Sequence, residues 1–504
     1  MSKPPSSSGS IAEKKHDIDI IDSASSRTPE GAAEVVHPPS LTPEQEAKLW
    51  RKVDWHILPI LTIMYLCSFL DRGNIGNAKL QGLTTQLDLT GNKYNIALTM
   101  YFIPYCLFEC PANMVLKKLR PSRWLPGITV VWGVIMTLMG LVKTYPQLVG
   151  VRVCLGVAEA GLFPGVVWYM SIWYPRHMLQ FRVGLFYGAA TVAGAFSGVL
   201  AYGISFMSGT RGLLGWSWIF ILEGIVTVVV GGIAFFVLVD FPDTAKFLSE
   251  DERAYLIWRK KYDNSTVGEE EQSELRHLKE VFLDWQVWMQ ILVYMSIVAP
   301  LYGISLFLPS IINGFGYGPA ISQLLTVPPY ICATIVLIVF AVWSDHTKMR
   351  SPFILAGLLM CLVGFSINIS DATIGAKYFG TFLCVSGSYA AFPGIVTWLG
   401  NNMAGQYKRG IGMAFHIGIG NFSGAIASNI YLSRDAPRYV MGHALELMFV
   451  GIGLVALPIT VLIYKRINAR RDAFQNEMVE KGISYSPDEL RKMGDRAPDF
   501  RYTL

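Results

Sequence analysis

Twelve apolar stretches, each long enough to cross a lipid bilayer, run through this 504-residue chain. A spanning helix needs about 20 mostly apolar residues at 1.5 Å rise per residue. Such segments fall at roughly 56–78, 94–116, 124–143, 146–171, 182–205 and 217–239, and again at 286–308, 322–343, 352–370, 375–400, 409–432 and 443–464. No water solvates a backbone inside hydrocarbon, so every N–H and C=O there must be satisfied within the protein. The spacing therefore predicts an all-α integral membrane protein. The expected layout is a tail over 1–48, a six-helix bundle over 49–239, a polar central loop over 240–285, a second six-helix bundle over 286–466 and a tail over 467–504.

The first tail is rich in Ser, Pro, Glu and Ala without an apolar run, the composition of a disordered segment and not of a cleaved signal peptide. Charged residues make up 16% of the chain, against about 25% in soluble domains. The net charge of +5 is too small and scattered for a nucleic-acid binder. All seven cysteines lie in apolar stretches without CxxC spacing, and no nucleotide motif occurs, so no metal or cofactor is expected. The eight histidines form no cluster of the kind a membrane-embedded enzyme would need.

Short cytosolic loops carry the excess of Lys and Arg. With the N-terminus inside, seventeen of the loop cations fall on the termini side, among them Lys117, Lys118, Arg120, Arg176, Arg182 and Arg350; seven fall opposite, among them Lys79, Lys93 and Arg211. Both termini and the central loop are expected in the cytosol, which hides the glycosylation-like Asn264-Ser265-Thr266 from lumenal enzymes.

The two halves share sequence. Phe163-Pro164-Gly165-Val166-Val167 in the fourth segment returns as Phe392-Pro393-Gly394-Ile395-Val396 in the tenth, an offset of 229. Gly194-Ala195-Phe196-Ser197-Gly198 in the fifth returns as Gly420-Asn421-Phe422-Ser423-Gly424 in the eleventh, an offset of 226. A duplicated six-helix unit is the architecture of secondary transporters, whose halves rock around a site near the midplane. The GxxxG pairs Gly184/Gly188, Gly194/Gly198 and Gly420/Gly424 suit either sliding or static close packing of helices.

An ionisable group inside a membrane costs at least ~2.5–3.5 kcal/mol at a helix centre, so each asks for a reason. The first half holds Asp71, Arg72, Glu109, Arg152, Glu159 and Glu223 within its spans; the second has His416, with Asp345 and Glu446 nearer helix ends. Arg152 and Glu159 are seven residues apart, two turns on one helical face, about 10 Å in depth. Arg grips carboxylates bidentately and keeps its charge. Arg72 and Arg152 are therefore expected to receive an anionic substrate, and Glu159, costly to keep charged in a low-dielectric cavity, to carry a coupled proton. The competing expectation is a permanent ion pair between Arg72 and Asp71 or Glu159; Asp71 is the poorer partner, because neighbours on a helix point about 100° apart. Asn77, Tyr101, Tyr302, His416 and Asn421 are candidate substrate contacts. Glu109, Glu223 and Asp345 are read as gating or structural groups, the first two bridging to loop cations.

These residues resemble the major facilitator superfamily, and within it the fungal allantoate permease family of anion:cation symporters, with nicotinate-type carriers nearest. The resemblance rests on Asp71-Arg72-Gly73-Asn74-Ile75-Gly76-Asn77-Ala78, on Arg152 through Gly161, and on Trp218 to Gly224, and it runs from about 48 to 470. It implies proton-coupled uptake of a small carboxylate by alternating access at the plasma membrane, with the anion on Arg72 and Arg152 and the proton on Glu159. The superfamily's loop signature between helices two and three is degraded here to Asn113-Met114-Val115-Leu116-Lys117-Lys118-Leu119-Arg120, without its Asp, while Ser344-Asp345-His346-Thr347-Lys348-Met349-Arg350 keeps one. The Gly-Pro pair that drug:proton antiporters carry in the fifth helix is absent. Import is thus favoured over proton-driven export, and a non-transporting nutrient receptor remains the other alternative.

Overall fold

A computed structural model describes residues 41–263, 274–404, 406–481, 485, 489–490 and 493–504. Most of the N-terminal tail and Asn264-Ser265-Thr266 lie outside them. The apolar segments become helices with recognisable boundaries. α1 (Pro43–Ala78) starts earlier than hydropathy suggests, because Thr42 and Gln45 form a reciprocal cap and Pro43 fits the first turn. After it come α2 (Lys93–Lys118), α3 (Pro121–Met139), α4 (Tyr145–Glu159), α5 (Leu162–Trp173), α6 (Arg176–Ser205) and α7 (Gly215–Val237). The central loop is not bare: it contributes α8 (Glu250–Asp263) and α9 (Glu274–Leu283).

The second half contains α10 (Trp285–Asn313), α11 (Pro319–Leu324), α12 (Val327–Thr347), α13 (Ser351–Ile369), α14 (Ile374–Asn401), α15 (Gln406–Ala427) and α16 (Val440–Glu480). Taking α4 with α5 and α11 with α12 as single interrupted spans, the fold is all-α with twelve crossings. Among the described residues, ten are long and apolar enough by composition alone. The fourth crossing breaks at Ala160-Gly161, directly after Glu159, an interruption its continuous apolar sequence does not announce. Large apolar side chains such as Phe236, Phe206, Ile335 and Leu462 stand on the outside. That surface belongs in lipid, not in water.

Within the first half α3 packs on α7, α1 on α6 and α7, and α2 on α4. Within the second, α13 packs on α14 and α16, and α10 on α14, α15 and α16. The halves meet along α6 with α12, α2 with α15, and α1 with α10. Small residues permit these approaches. A Cβ at Gly198 would sit 2.4 Å from Thr326 Oγ1, and one at Gly424 would meet the Phe102 ring at 2.2 Å. With Gly194, whose Cβ would meet the Tyr330 ring at 2.4 Å, three of the repeated glycines lie on the seam between halves.

Hydrogen bonds across the seam crowd toward the face opposite the termini. Gln81 donates to Gln323 (3.0 Å), Gln323 to the Asn77 carbonyl (3.2 Å), Asn95 to the carbonyls of Ser428 and Tyr431 (2.6 and 3.1 Å), and Asn429 to Thr99 (2.8 Å). That face is closed in this conformation.

Candidate functional site

α1 and α4 bring the membrane-embedded charges together at the seam. Arg72 Nη2 lies 2.6 Å from Glu159 Oε1, and Arg72 Nη1 donates to the Tyr302 hydroxyl of α10 at 2.9 Å. The Arg72 guanidinium also sits 5.0–5.8 Å from the ring centres of Phe69, Tyr105, Tyr101 and Tyr302. Aromatic faces attract a cation that has been taken out of water. Glu159 is saturated: besides Arg72 it accepts from Tyr101 (2.6 Å) and from Ser68, one turn before Arg72 on α1. A buried pair is tolerated only with such extra donors.

Of the two partners expected for Arg72, Glu159 is the one it meets here. Asp71 points elsewhere, accepting from Trp132 (2.9 Å) and Thr227 (3.1 Å), as the 100° step between helix neighbours requires. Arg152 is different again. It is 1% exposed, and its Nε and Nη2 have no hydrogen-bond partner among the described residues. A buried guanidinium without an acceptor is costly, and the shortfall is the size of an anion's hydrogen bonds. α4 can lie this close to α2 because Gly156, between Arg152 and Glu159, faces the Tyr101 carbonyl, which a Cβ would meet at 2.2 Å.

A narrow cavity opens beside this cluster, about 450 Å³ including its solvent-facing part. Arg72, Asn77 and Ser197 line it from the first half, and Ser305, Tyr330 and Tyr389 from the second. Arg152 is not among its lining residues in this conformation. Asn77 donates to Ser197 (2.7 Å), which donates to Asn74 (3.1 Å), which in turn donates to Glu223. Sequence reasoning missed Ser68, Asn74 and Ser197. The signal available was their position one turn from, or in repeat register with, residues already singled out.

The remaining candidates are spread out. Asn421 accepts from Tyr294 and donates to Glu109, each at 3.2 Å, joining α15 to α10 and α2. His416 contacts the Gln290 carbonyl (3.1 Å) and the Tyr294 ring, away from the cavity. Glu109 and Glu223 were expected to bridge to loop cations; among the described residues each accepts instead from an amide on another helix, Glu109 from Asn421 and Glu223 from Asn74. Asp345 pairs with Arg350 (2.6 Å) at the termini end of α12. Both help to line a second crevice between halves, bounded by Phe181 and Gly184 of α6.

The sequence model for the Major Facilitator Superfamily matches residues 61–428. The chain belongs to this superfamily. It is 34% identical over 471 residues to the MFS-type transporter cnsO of Penicillium expansum, covering 91% of this chain and 90% of that one. It is 31% identical over 464 residues to the high-affinity nicotinic acid transporter of Saccharomyces cerevisiae, covering 92% and 86%. A bacterial homologue of the lysosomal transporter Spinster, solved inward-facing and unoccupied, superposes with TM-score 0.60 at 15% identity, over 81% of this chain and 96% of that one. This superfamily member is accordingly a multi-pass membrane protein whose named relatives are transporters.

Proposed function

We propose that this protein takes up a small organic anion, a carboxylate of the nicotinate or allantoate type, together with a proton. The observation that carries the reading is the Arg152 guanidinium, buried with its Nε and Nη2 unpartnered among the described residues, on the same helix as Glu159, the carboxylate that holds Arg72. An incoming carboxylate supplies acceptors that Arg152 lacks and competes with Glu159 for Arg72. Displaced from Arg72, Glu159 retains only the neutral donors Tyr101 and Ser68, and taking up a proton removes the cost of its isolated charge. Anion binding and protonation thereby favour each other, which is the coupling a symporter requires.

Alternating access follows if the bundles over 49–239 and 286–466 rock about the seam, with Arg72–Tyr302 and Asn421–Glu109 near the pivot. The Lys and Arg distribution supports cytosolic termini, so the closed face is the outer one, and the plasma membrane is the proposed location. Similarity to a nicotinic acid transporter supports a pyridine carboxylate as first probe and an allantoate-permease-like member of the superfamily.

Uptake of labelled carboxylates into cells or vesicles, beginning with nicotinate, at two external pH values and with or without an uncoupler, tests this. Accumulation is expected at the acidic value and is expected to collapse with the uncoupler. Uptake indifferent to both, or driven outward by an inward proton gradient, would replace symport with facilitation or export.

A further inference from the structure

The second half buries a carboxyl group that the account above does not use. Glu446 of α16 is 0% exposed, and neither of its oxygens has a hydrogen-bond partner among the described residues. It presses on the backbone of α10: a Cβ built on Gly303 would fall 1.8 Å from Glu446 Oε1 and 3.4 Å from the Tyr431 ring. Only glycine leaves room for that carboxyl. The titratable groups facing it are Cys361 from α13, Cys384 from α14 and Tyr431, with His443 one turn away on α16 and bonded to the Tyr431 hydroxyl (3.0 Å). Among the described residues no Lys or Arg offsets it.

Two of the ties between halves rest on this spot. Tyr302, next to Gly303, accepts from Arg72, and the Tyr431 carbonyl accepts from Asn95 of α2. A carboxylate without a donor in such surroundings is far costlier than the neutral acid. The space available holds the acid; the ion must draw in water or move away, pushing on Gly303 or Tyr431.

We propose that Glu446 is a proton-binding site of the second half, and that its acid form keeps the face opposite the termini closed. The proton comes from water on the outer side, bonds to a carboxyl oxygen and leaves to water on the side of the termini; its loss frees the outer face to open again. The role in transport deepens the symport reading and rests on it; the protonation and its effect on the seam do not. A proton taken up from the acidic outer side closes that side, the order an importer needs.

The test uses the full-length chain in nanodiscs, without substrate or gradient. Spin labels at R211C and R434C, exposed loop positions on the two halves, report separation of the closed face in a C154S background. Raising the pH is expected to shift wild type toward longer distances, by up to about tenfold in population ratio per pH unit, the limit for one linked proton. E446Q, which mimics the acid, is expected to stay short, whereas E159Q still responds. G303A, whose Cβ overlaps the carboxyl, is expected to populate the long distances at a pH where wild type is short. In infrared spectra the carbonyl band of a free carboxylic acid is expected in wild type and E159Q and to be missing in E446Q. An unchanged band in E446Q, a wild type insensitive to pH, or an E446Q protein that opens like wild type would each overturn the proposal. Failure of nicotinate uptake alongside the expected pH shift would remove the cargo reading and leave this one standing.

Discussion

Arg152 and Arg72 differ in what substitution would report. Arg72 has a carboxylate, a tyrosine hydroxyl and four aromatic rings around it, so truncating it strands Glu159 as well as removing a cation. Arg152 holds no carboxylate among the described residues, and its Nε and Nη2 are unpartnered. Glu159 is separable from both: Glu159→Gln keeps the shape and the hydrogen bonds from Tyr101 and Ser68 but cannot carry a proton. E159Q is expected to lose uphill accumulation while counterflow exchange of preloaded substrate persists within a few-fold of wild type. Exchange lost together with accumulation would make Glu159 a structural partner only. This arrangement was partly legible beforehand. Seven-residue spacing places Arg152 and Glu159 on one face, and adjacency separates Asp71 from Arg72. Which of two partners Arg72 meets was not legible, because that depends on how α1 and α4 cross.

Elements were legible wherever hydropathy alone decides them. Twelve crossings follow from twelve apolar stretches, and the repeated glycines foretold close helix contacts, three of them on the seam. Boundaries obeyed local chemistry that hydropathy does not measure: the Thr42/Gln45 cap begins α1 early, and Ala160-Gly161 interrupts the fourth crossing. The polar stretch over 240–285 was read only as a connecting loop, yet it forms α8, which packs back on α1. Lys52 and Glu252 pair at 2.8 Å, and Arg259 meets Glu46 at 2.9 Å. Partial burial alone would raise the Glu252 carboxyl, but the Lys52 ammonium and the Ser249 backbone N–H outweigh it and hold the group below the usual glutamate range. A lowered acid contributes stability that is present above its unfolded value and is lost as pH falls through the folded one. The α8–α1 contact is therefore expected to loosen only as pH falls below the usual glutamate range, by less than about 1 kcal/mol after solvent screening. Hydrogen exchange of α8 amides checks this: protection should fall with pH in wild type and be low and pH-independent in E252Q. Equal pH dependence in both would assign the effect elsewhere.

At the scale of the molecule, the chain's end was the least legible part. Residues 494–504 carry no apolar periodicity, yet they fasten the termini-side ends of the second half. Lys408 joins Asp284 (2.7 Å) to Asp495 (2.9 Å), Tyr502 stacks on Tyr464, and the Thr503 carbonyl accepts from Trp398 and Asn402. Such contacts are made by single side chains between distant segments, which no local pattern encodes. The bracing stiffens one face of the second half, while the seam depends on a short set of amide, hydroxyl and carboxyl contacts. Charge is unevenly divided as well: the ion pair and the unpaired guanidinium belong to the first half, and the second supplies Tyr302, Tyr330 and Tyr389 as the opposing wall. An anion bound between them would be held by charge on one side and by shape and hydroxyls on the other. The binding affinity of purified protein for labelled nicotinate, wild type against Arg152→Ala, tests that arrangement most directly. Removing a buried charged partner costs about 2–5 kcal/mol, so R152A is expected to bind roughly thirtyfold more weakly or worse while remaining folded. Unchanged affinity in a folded R152A protein would contradict the account.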